Sequence, residues 1–284
     1  MTLMKFYAMN GAGNRFAIFD ARGTGFVMTA DLAKAVGAKG GPLGPAGCDQ
    51  IIVMMDAPID DGSADVFMDI WNNSGGHVDA CGNATRCVGW LLMKERGGLK
   101  INIQTAAGLL KSSRASHLQV AADMGEPKLE WDQIPLAEVM HTHHIDLKVG
   151  PIDAPVLSNP GAVSMGNPHC VFFVDDVMAT DIERLGPMLE FHPLFPQQAN
   201  IGFAQVLGKD RIRLRVWERG AGLTLACGTG ACAAVVAGVR QSRLFRNVQV
   251  DVDGGTLHIE WRESDNHVIM TGPVELEFEG DLPV

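Results

Sequence analysis

Apolar and polar residues alternate over several short runs of the chain, and a period of two predicts strands. MKFYAM (4–9) and RFAIFD (15–20) read as strands joined by the glycine-rich turn NGAGN. IIVMM (51–55) is an apolar strand entered from the Gly/Pro-rich loop GGPLGPAGCDQ. VFMDIW (66–71) alternates and follows the turn APIDDGSAD; further runs at 101–104 and 109–113 flank the turn AAG. The pattern changes to helix at MTADLAKAV (28–36), with Thr29 as N-cap. It changes again from Cys81 to about Arg96, where Gly97-Gly98 supplies a C-terminal stop.

The same pattern then recurs. WNNSGGHVDACG (71–82) aligns without a gap on WERGAGLTLACG (217–228), each preceded by an alternating run (VFMDI, IRLRV) and followed by an apolar helix. INIQTAAGLLKSS is answered by VQVDVDGGTLHIEW, with Gly108 matching Gly255, and LQVAADMGEPKLE by HVIMTGPVELEFEG. Upstream, AMNGAGNRFAIFD is answered by VSMGNPHCVFFVDD. Four matched segments in one order indicate duplication of a half-molecule.

The 284 residues suit two domains that each bury a core. GEPKLEWDQIPLA, with Pro127 and Pro135, reads as the crossover between halves. The expected division is residues 1–128 with 272–284, and 129–271, the last hairpin from about Met270 returning to the first domain. The expected class is α+β: two pseudo-symmetric domains, each a β-rich sheet around one helix that is apolar on all sides (CVGWLLM, CAAVVAGV), with a cleft between them. If the halves face each other, Cys81 and Cys227 oppose each other in that cleft.

Composition narrows the function. Apolar content of 46% and charged content of 20% are ordinary for a globular protein, and a net charge of −10 without a basic stripe argues against nucleic acid. No apolar run approaches the ~20 residues of a membrane span and no signal-like segment opens the chain, so a cytoplasmic location and free thiols are expected. HTHH (141–144) places His141 and His143 on one face of a strand, but with no Cys or carboxylate at a ligand spacing nearby it reads as a solvated crossover segment, and no metal site is expected.

Cys81 and Cys227 carry the candidate chemistry. Each precedes Gly and a small polar residue (Asn83, Thr229) at a helix start, where free N–H groups and the dipole favour thiolate. The same amides suit a carboxylate. A thiolate and a thiol on opposite sides of one carbon would exchange a proton and invert it. Cys87, Cys170 and Cys232 lie in apolar runs and read as buried small hydrophobes. A zinc site from Cys81/Cys87 and Cys227/Cys232 fits ligand spacing poorly, and a redox site lacks C-x-x-C.

With these residues in hand, the chain resembles the diaminopimelate epimerase family. ACGNATRC (80–87), MGNPHCVFFV (165–174), NIGFAQV (200–206) and WERGAGLTLACGTGAC (217–232) carry the resemblance. It implies two similar domains, each a β-barrel-like layer around a central helix. It implies a cofactor-independent isomerase of lysine and peptidoglycan precursor synthesis, acting on a small amino-acid substrate as a homodimer. Cys81 and Cys227 would be the two bases, and Gly82-Asn83 and Gly228-Thr229 the backbone cradles for the reacting carboxylate. Asn14, Gln50, Asn72, Asn167 and Asn200 would hold the distal end, Glu218 and Arg219 match the family's Glu-Arg pair, and Glu218 and His169 would tune the thiols.

Arg15, Cys48, Ser74, His77 and Leu223 depart from residues frequent in the family. They leave a proline- or hydroxyproline-type substrate on the same fold as an alternative, beside a non-catalytic thiol or zinc-binding protein. The retained polar positions and Arg219 favour a long substrate with a second charged end.

Overall fold

The computed structural model of the chain describes residues 3–58, 63–79, 81–151 and 153–283. Residues 59–62 of the expected turn at 57–65, and Ala80 of ACGNATRC, lie outside the described residues. The chain separates into two compact units, Met1–Asp123 with Thr271–Val284, and Met124–Met270.

The first unit contains β1 (Leu3–Gly11), β2 (Asn14–Asp20), α1 (Ala30–Gly37), β3 (Gln50–Met55), β4 (Val66–Asn72), α2 (Gly82–Arg96), β5 (Lys100–Thr105), β6 (Gly108–Arg114) and β7 (Gln119–Asp123). The second contains β8 (Lys148–Val149), β9 (Leu157–Ser158), β10 (Gly161–Ser164), β11 (Pro168–Val174), α3 (Ile182–Glu190), β12 (Asn200–Gly208), β13 (Arg211–Glu218), β14 (Gly222–Thr224), α4 (Gly228–Arg240), β15 (Asn247–Val252) and β16 (Gly255–Trp261). The passage back to the first unit falls within β17 (Val268–Pro273), and β18 (Glu275–Pro283) follows.

In the first unit the strand order is β7-β6-β5-β4-β3-β2-β1-β18. From β1 to β6 the ladders run antiparallel, parallel, antiparallel, parallel, antiparallel. In the second unit β10, β11, β12, β13, β15 and β16 repeat that sequence of directions. The duplication read from the residues is therefore also a duplication of ladder geometry, and the chain is α+β as expected.

The first sheet is buried on both faces. Phe16, Ile18, Ile52 and Met54 pack toward α2, whereas Ala17, Phe19, Ile51 and Val53 pack toward α1. That two-sided burial explains why RFAIFD and IIVMM read as nearly unbroken apolar runs. α2 is buried from Gly82 to Met93 and contacts β1, β2, β5, β6 and β7. Each buried Leu or Val there contributes roughly 1.5–3 kcal/mol. α2 ends where Gly97 turns left-handed at φ 71°, as the Gly-Gly stop implies. α1 begins one residue after Thr29, whose hydroxyl accepts from the Leu32 amide at 3.3 Å. In the second unit α4 is buried from Gly230 to Gly238 and contacts β10 to β13 and β16.

Two features differ from the sequence expectation. Residues 141–144 form a turn, not a strand. Thr142 is the buried member: its hydroxyl donates to the Leu129 carbonyl at 2.6 Å and accepts from Arg240 at 2.8 Å, while the three histidines stay exposed. The second is α3, which lies outside the matched segments and packs Ile182, Leu185 and Leu189 against Phe172 and Phe203. Among the described residues no helix is long and apolar enough to cross a membrane.

Candidate functional site

Register builds the first half-site. The parallel β2–β3 ladder sets Phe16 beside Gln50, and the antiparallel β3–β4 ladder sets Gln50 opposite Asn72. Asn14, Gln50 and Asn72 therefore gather at one end of three adjacent strands. The turn before Asn14 uses positive φ at Ala12 (56°) and Gly13 (90°), and the Gly13 amide donates to Asn10 at 2.9 Å.

The N-terminus of α2 meets this strand end. Asn83 Nδ2 donates to Asn14 Oδ1 at 2.5 Å, and the buried Arg86 guanidinium donates to Asn83 Oδ1 at 2.8 Å. Gln50 Nε2 donates to Asn72 Oδ1 at 3.2 Å. Gln50 Oε1 is buried and has no hydrogen-bond donor from the described residues, so it can accept from a ligand N–H. Cys81 is the half-buried N-cap, with extended backbone at φ −144°, ψ 109°. Its carbonyl is taken by the Thr85 amide and hydroxyl, both at 2.9 Å. The first amides of the helix have no intrahelical acceptor and form an anion-binding end.

The second half-site uses the same register positions. β11 and β12 run parallel with His169 beside Asn200, and β12–β13 places Ile201 opposite Trp217, next to Glu218. Asn167 thus corresponds to Asn14, His169 to Phe16, Asn200 to Gln50, Glu218 to Asn72 and Thr229 to Asn83. Asn167 Nδ2 donates to Thr229 Oγ1 at 3.4 Å, the counterpart of the Asn83–Asn14 bond. Cys227 caps α4 at φ −121°, ψ 108°, close to the conformation of Cys81. Its Sγ lies 3.6 Å from Thr229 Oγ1. Asn200 Nδ2 donates to the Pro168 carbonyl, and Asn200 Oδ1 accepts from the Arg219 amide, each at 3.0 Å. Thr224 donates to Glu218 Oε1 at 2.5 Å. The exposed Arg219 side chain donates to the Gln197 carbonyl at 2.9 Å.

The two half-sites share geometry and differ in charge. The first presents amides; the second presents His169, Glu218 and Arg219. Sequence reasoning expected the helix N-terminus to lower both thiol pKa values. At Cys227 the opposite holds: burial, then the Glu218 carboxylate, push the thiol well above its ordinary value, and the Thr229 hydroxyl and Gly230 amide pull back only in part. A dipole contributes roughly 0.3–1 kcal/mol, whereas full burial shifts a pKa by up to about 3–5 units. Cys227 is therefore a thiol at neutral pH. Burial also raises Cys48 and Cys87, each to about 12, and Cys170 further.

Burial, with help from the Arg219 charge, lowers His169 to about 3. The ring is neutral, and because Asn167 Oδ1 can only accept, the 2.9 Å contact requires the proton on Nε2. This has a sign. Unfolded, the ring takes a proton near pH 6.5; folded, it refuses one until about pH 3. The stability contribution is complete above 6.5 and is lost as pH falls, at about 1.4 kcal/mol per unit. His169→Phe copies the register-equivalent Phe16 and should flatten that slope. Urea unfolding between pH 7 and 4.5 measures it; parallel curves for the two proteins would contradict the burial argument.

The diaminopimelate epimerase family model matches residues 6–130 and 161–277. A curated diaminopimelate epimerase of Caulobacter vibrioides is 50% identical over 281 residues, covering 98% of this chain and 97% of that protein. Among solved structures, a phenazine biosynthesis protein of the PhzF family from Bacillus anthracis has a TM-score of 0.68 at 14% identity, covering 100% of each chain. A hydroxyproline epimerase from Agrobacterium vitis with bound trans-4-hydroxy-L-proline has a TM-score of 0.64 at 15% identity, covering 99% of this chain and 91% of that one. At such identities these two structures show the fold alone.

Proposed function

The chain belongs to the diaminopimelate epimerase family, and we propose that it interconverts LL- and meso-diaminopimelate with Cys81 and Cys227 as a proton-exchanging pair. It is an isomerase acting on an amino-acid stereocentre. The observation that carries the two-thiol reading is the occurrence of a cysteine N-cap at register-equivalent helix starts, each beside a glycine and a polar residue.

The steps balance without a cofactor. One sulfur, as thiolate, removes the α-proton; the other, as thiol, delivers a proton to the opposite face of the same carbon. The enzyme emerges with the two protonation states exchanged, which suits the reverse reaction. Cys227 begins as the thiol and gives its proton to the carbon; Glu218, in contact with it, relays a solvent proton back to the resulting thiolate while Cys81 releases its own to solvent. The carbanion is held by its carboxylate at the amides of Gly82-Asn83 and Gly228-Thr229, where fixed dipoles favour the developing charge. Asn14, Gln50, Asn72, Asn167 and Asn200 orient the amino-acid ends, with Gln50 Oε1 accepting from an ammonium, and Arg219 pairs with the distal carboxylate. The reading extends to a cytoplasmic location, which keeps the thiols reduced, and to a homodimer, as the family resemblance implies.

The test is α-hydrogen exchange. In deuterated water, LL-diaminopimelate should gain deuterium at one α-carbon as the meso isomer forms, read by ¹H NMR and chiral chromatography, while L-proline stays unlabelled. Exchange at proline with none at diaminopimelate would reject the substrate assignment.

A further inference from the structure

α3 ends in Glu190, a residue only 4% exposed. A carboxylate buried to that degree needs donors, and Glu190 takes one from the end of β13 and one from the turn that follows it. Oε2 accepts from the Trp217 indole at 2.8 Å, and Oε1 accepts from the Gly220 amide at 2.8 Å. The two residues between those donors are Glu218 and Arg219. The backbone ties the same corner: the Glu190 carbonyl accepts from the Ala199 amide at 3.3 Å, and the neighbouring Asn200 accepts from the Arg219 amide. α3 also lies flush on the indole, since a Cβ at Gly186 would come within 2.4 Å of the Trp217 ring.

The duplicated loop of the first unit is held differently. There Trp71 donates its indole N–H to Asp69 of its own strand at 2.6 Å, and the following residues are the neutral Asn72 and Asn73. Among the described residues, a carboxylate reaches in from a separate helix to the loop that bears charges, whereas α1 meets the first loop by packing against Asn73 and Gly75. We propose that Glu190 is a positioning residue for epimerisation, clamping both ends of the Glu218-Arg219 segment. The proposal deepens the reading above and rests on it.

The chemistry requires an ionised carboxylate. Each oxygen meets a donor, so both must accept. Glutamine has the same shape but one acceptor and one donor, and in either orientation its NH₂ faces the indole N–H or the Gly220 N–H. One end of the clamp is then repelled. A displacement of about 1 Å in such a segment lowers turnover efficiency on the order of 100-fold.

The experiment compares steady-state kinetics and melting of Glu190→Gln with Leu189→Ala, a buried apolar truncation on the same helix that leaves the carboxylate in place. Glu190→Gln should raise KM and lower kcat, together roughly 10- to 100-fold in kcat/KM, while Leu189→Ala lowers Tm and leaves both constants near parental. Trp217→Phe keeps a ring against Gly186 but removes one donor, and should shift kcat/KM in the same direction by less. It also assigns the Trp217 indole proton, which should move upfield in Glu190→Gln as the bond to a charged acceptor is lost. Parental constants in both Glu190→Gln and Trp217→Phe, or losses no larger than those of Leu189→Ala at equal Tm, overturn the clamp. Arg219→Ala separates the two levels: if it is impaired while Glu190→Gln is not, the clamp alone falls; if neither is impaired, the site assignment falls with it.

Discussion

Cys227→Ala is expected to slow conversion of LL- to meso-diaminopimelate by at least about a thousandfold, and Cys81→Ala by a similar factor. General acid–base groups contribute about 10²–10⁴ each, and here both halves of one proton exchange depend on a sulfur. Water is a poor replacement for Cys227, which is 4% exposed. Alanine there removes the acid and puts nothing in its place. The two variants should nonetheless retain something that an unfolded or empty protein would not. With Cys227 gone, Cys81 can still remove a proton from the face it addresses and return a deuteron to that same face. One isomer should therefore exchange its α-hydrogen slowly while keeping its configuration, and the other isomer should do so in Cys81→Ala. Exchange is read by ¹H NMR in deuterated water and inversion by chiral chromatography on the same samples. Parental inversion rates in either variant would end the two-thiol scheme. Inversion lost together with all exchange in both variants would point to loss of binding instead.

The extent to which this was legible in the sequence differs by level. Strands were legible because apolar alternation and turn glycines are local: β1 to β6 were read to within a few residues, and α2 was bounded by Cys81 and Gly97. The duplication was legible because it repeats residues in order, and the ladders repeat with it. α3 was missed because Gly186 and Pro187 interrupt a short helical pattern that has no counterpart in the first half. HTHH misled because its alternation reflects one buried threonine in a turn.

The site was harder. Asn14 and Asn167 share a Gly-Asn turn that could be matched by eye, but their bonds to Asn83 and Thr229 arise from strand register and helix placement together. The thiol chemistry was read one-sidedly. A helix start is visible in sequence, whereas the burial of Cys227 and its contact with Glu218 are tertiary, and they outweigh the dipole. Glu190 could not be found at all, because no spacing announces that one carboxylate will meet an indole and an amide 27 and 30 positions away.

Arg219→Ala should reduce kcat/KM for diaminopimelate by roughly 10- to 100-fold, mostly through KM. Losing hydrogen bonds to a charged group costs about 1.5–3 kcal/mol, and each 1.4 kcal/mol is tenfold. The split between constants follows from position. Arg219 is exposed, its backbone amide is fixed by Asn200 and one side-chain nitrogen by the Gln197 carbonyl, so the guanidinium is oriented but not consumed. It addresses the distal carboxylate and not the carbon that inverts, so the bound substrate should still turn over. Arg219→Lys should recover only part of the loss, because an ammonium supplies charge without the paired N–H groups that match a carboxylate. Raising salt should weaken binding by the parent and leave Arg219→Ala nearly unchanged, since the screened attraction is already absent. The measurement is steady-state epimerisation of LL-diaminopimelate at two ionic strengths. A parental KM in Arg219→Ala would mean that the distal carboxylate is held elsewhere. It would also remove the strongest argument on this chain for a substrate with two charged ends over a compact one such as proline.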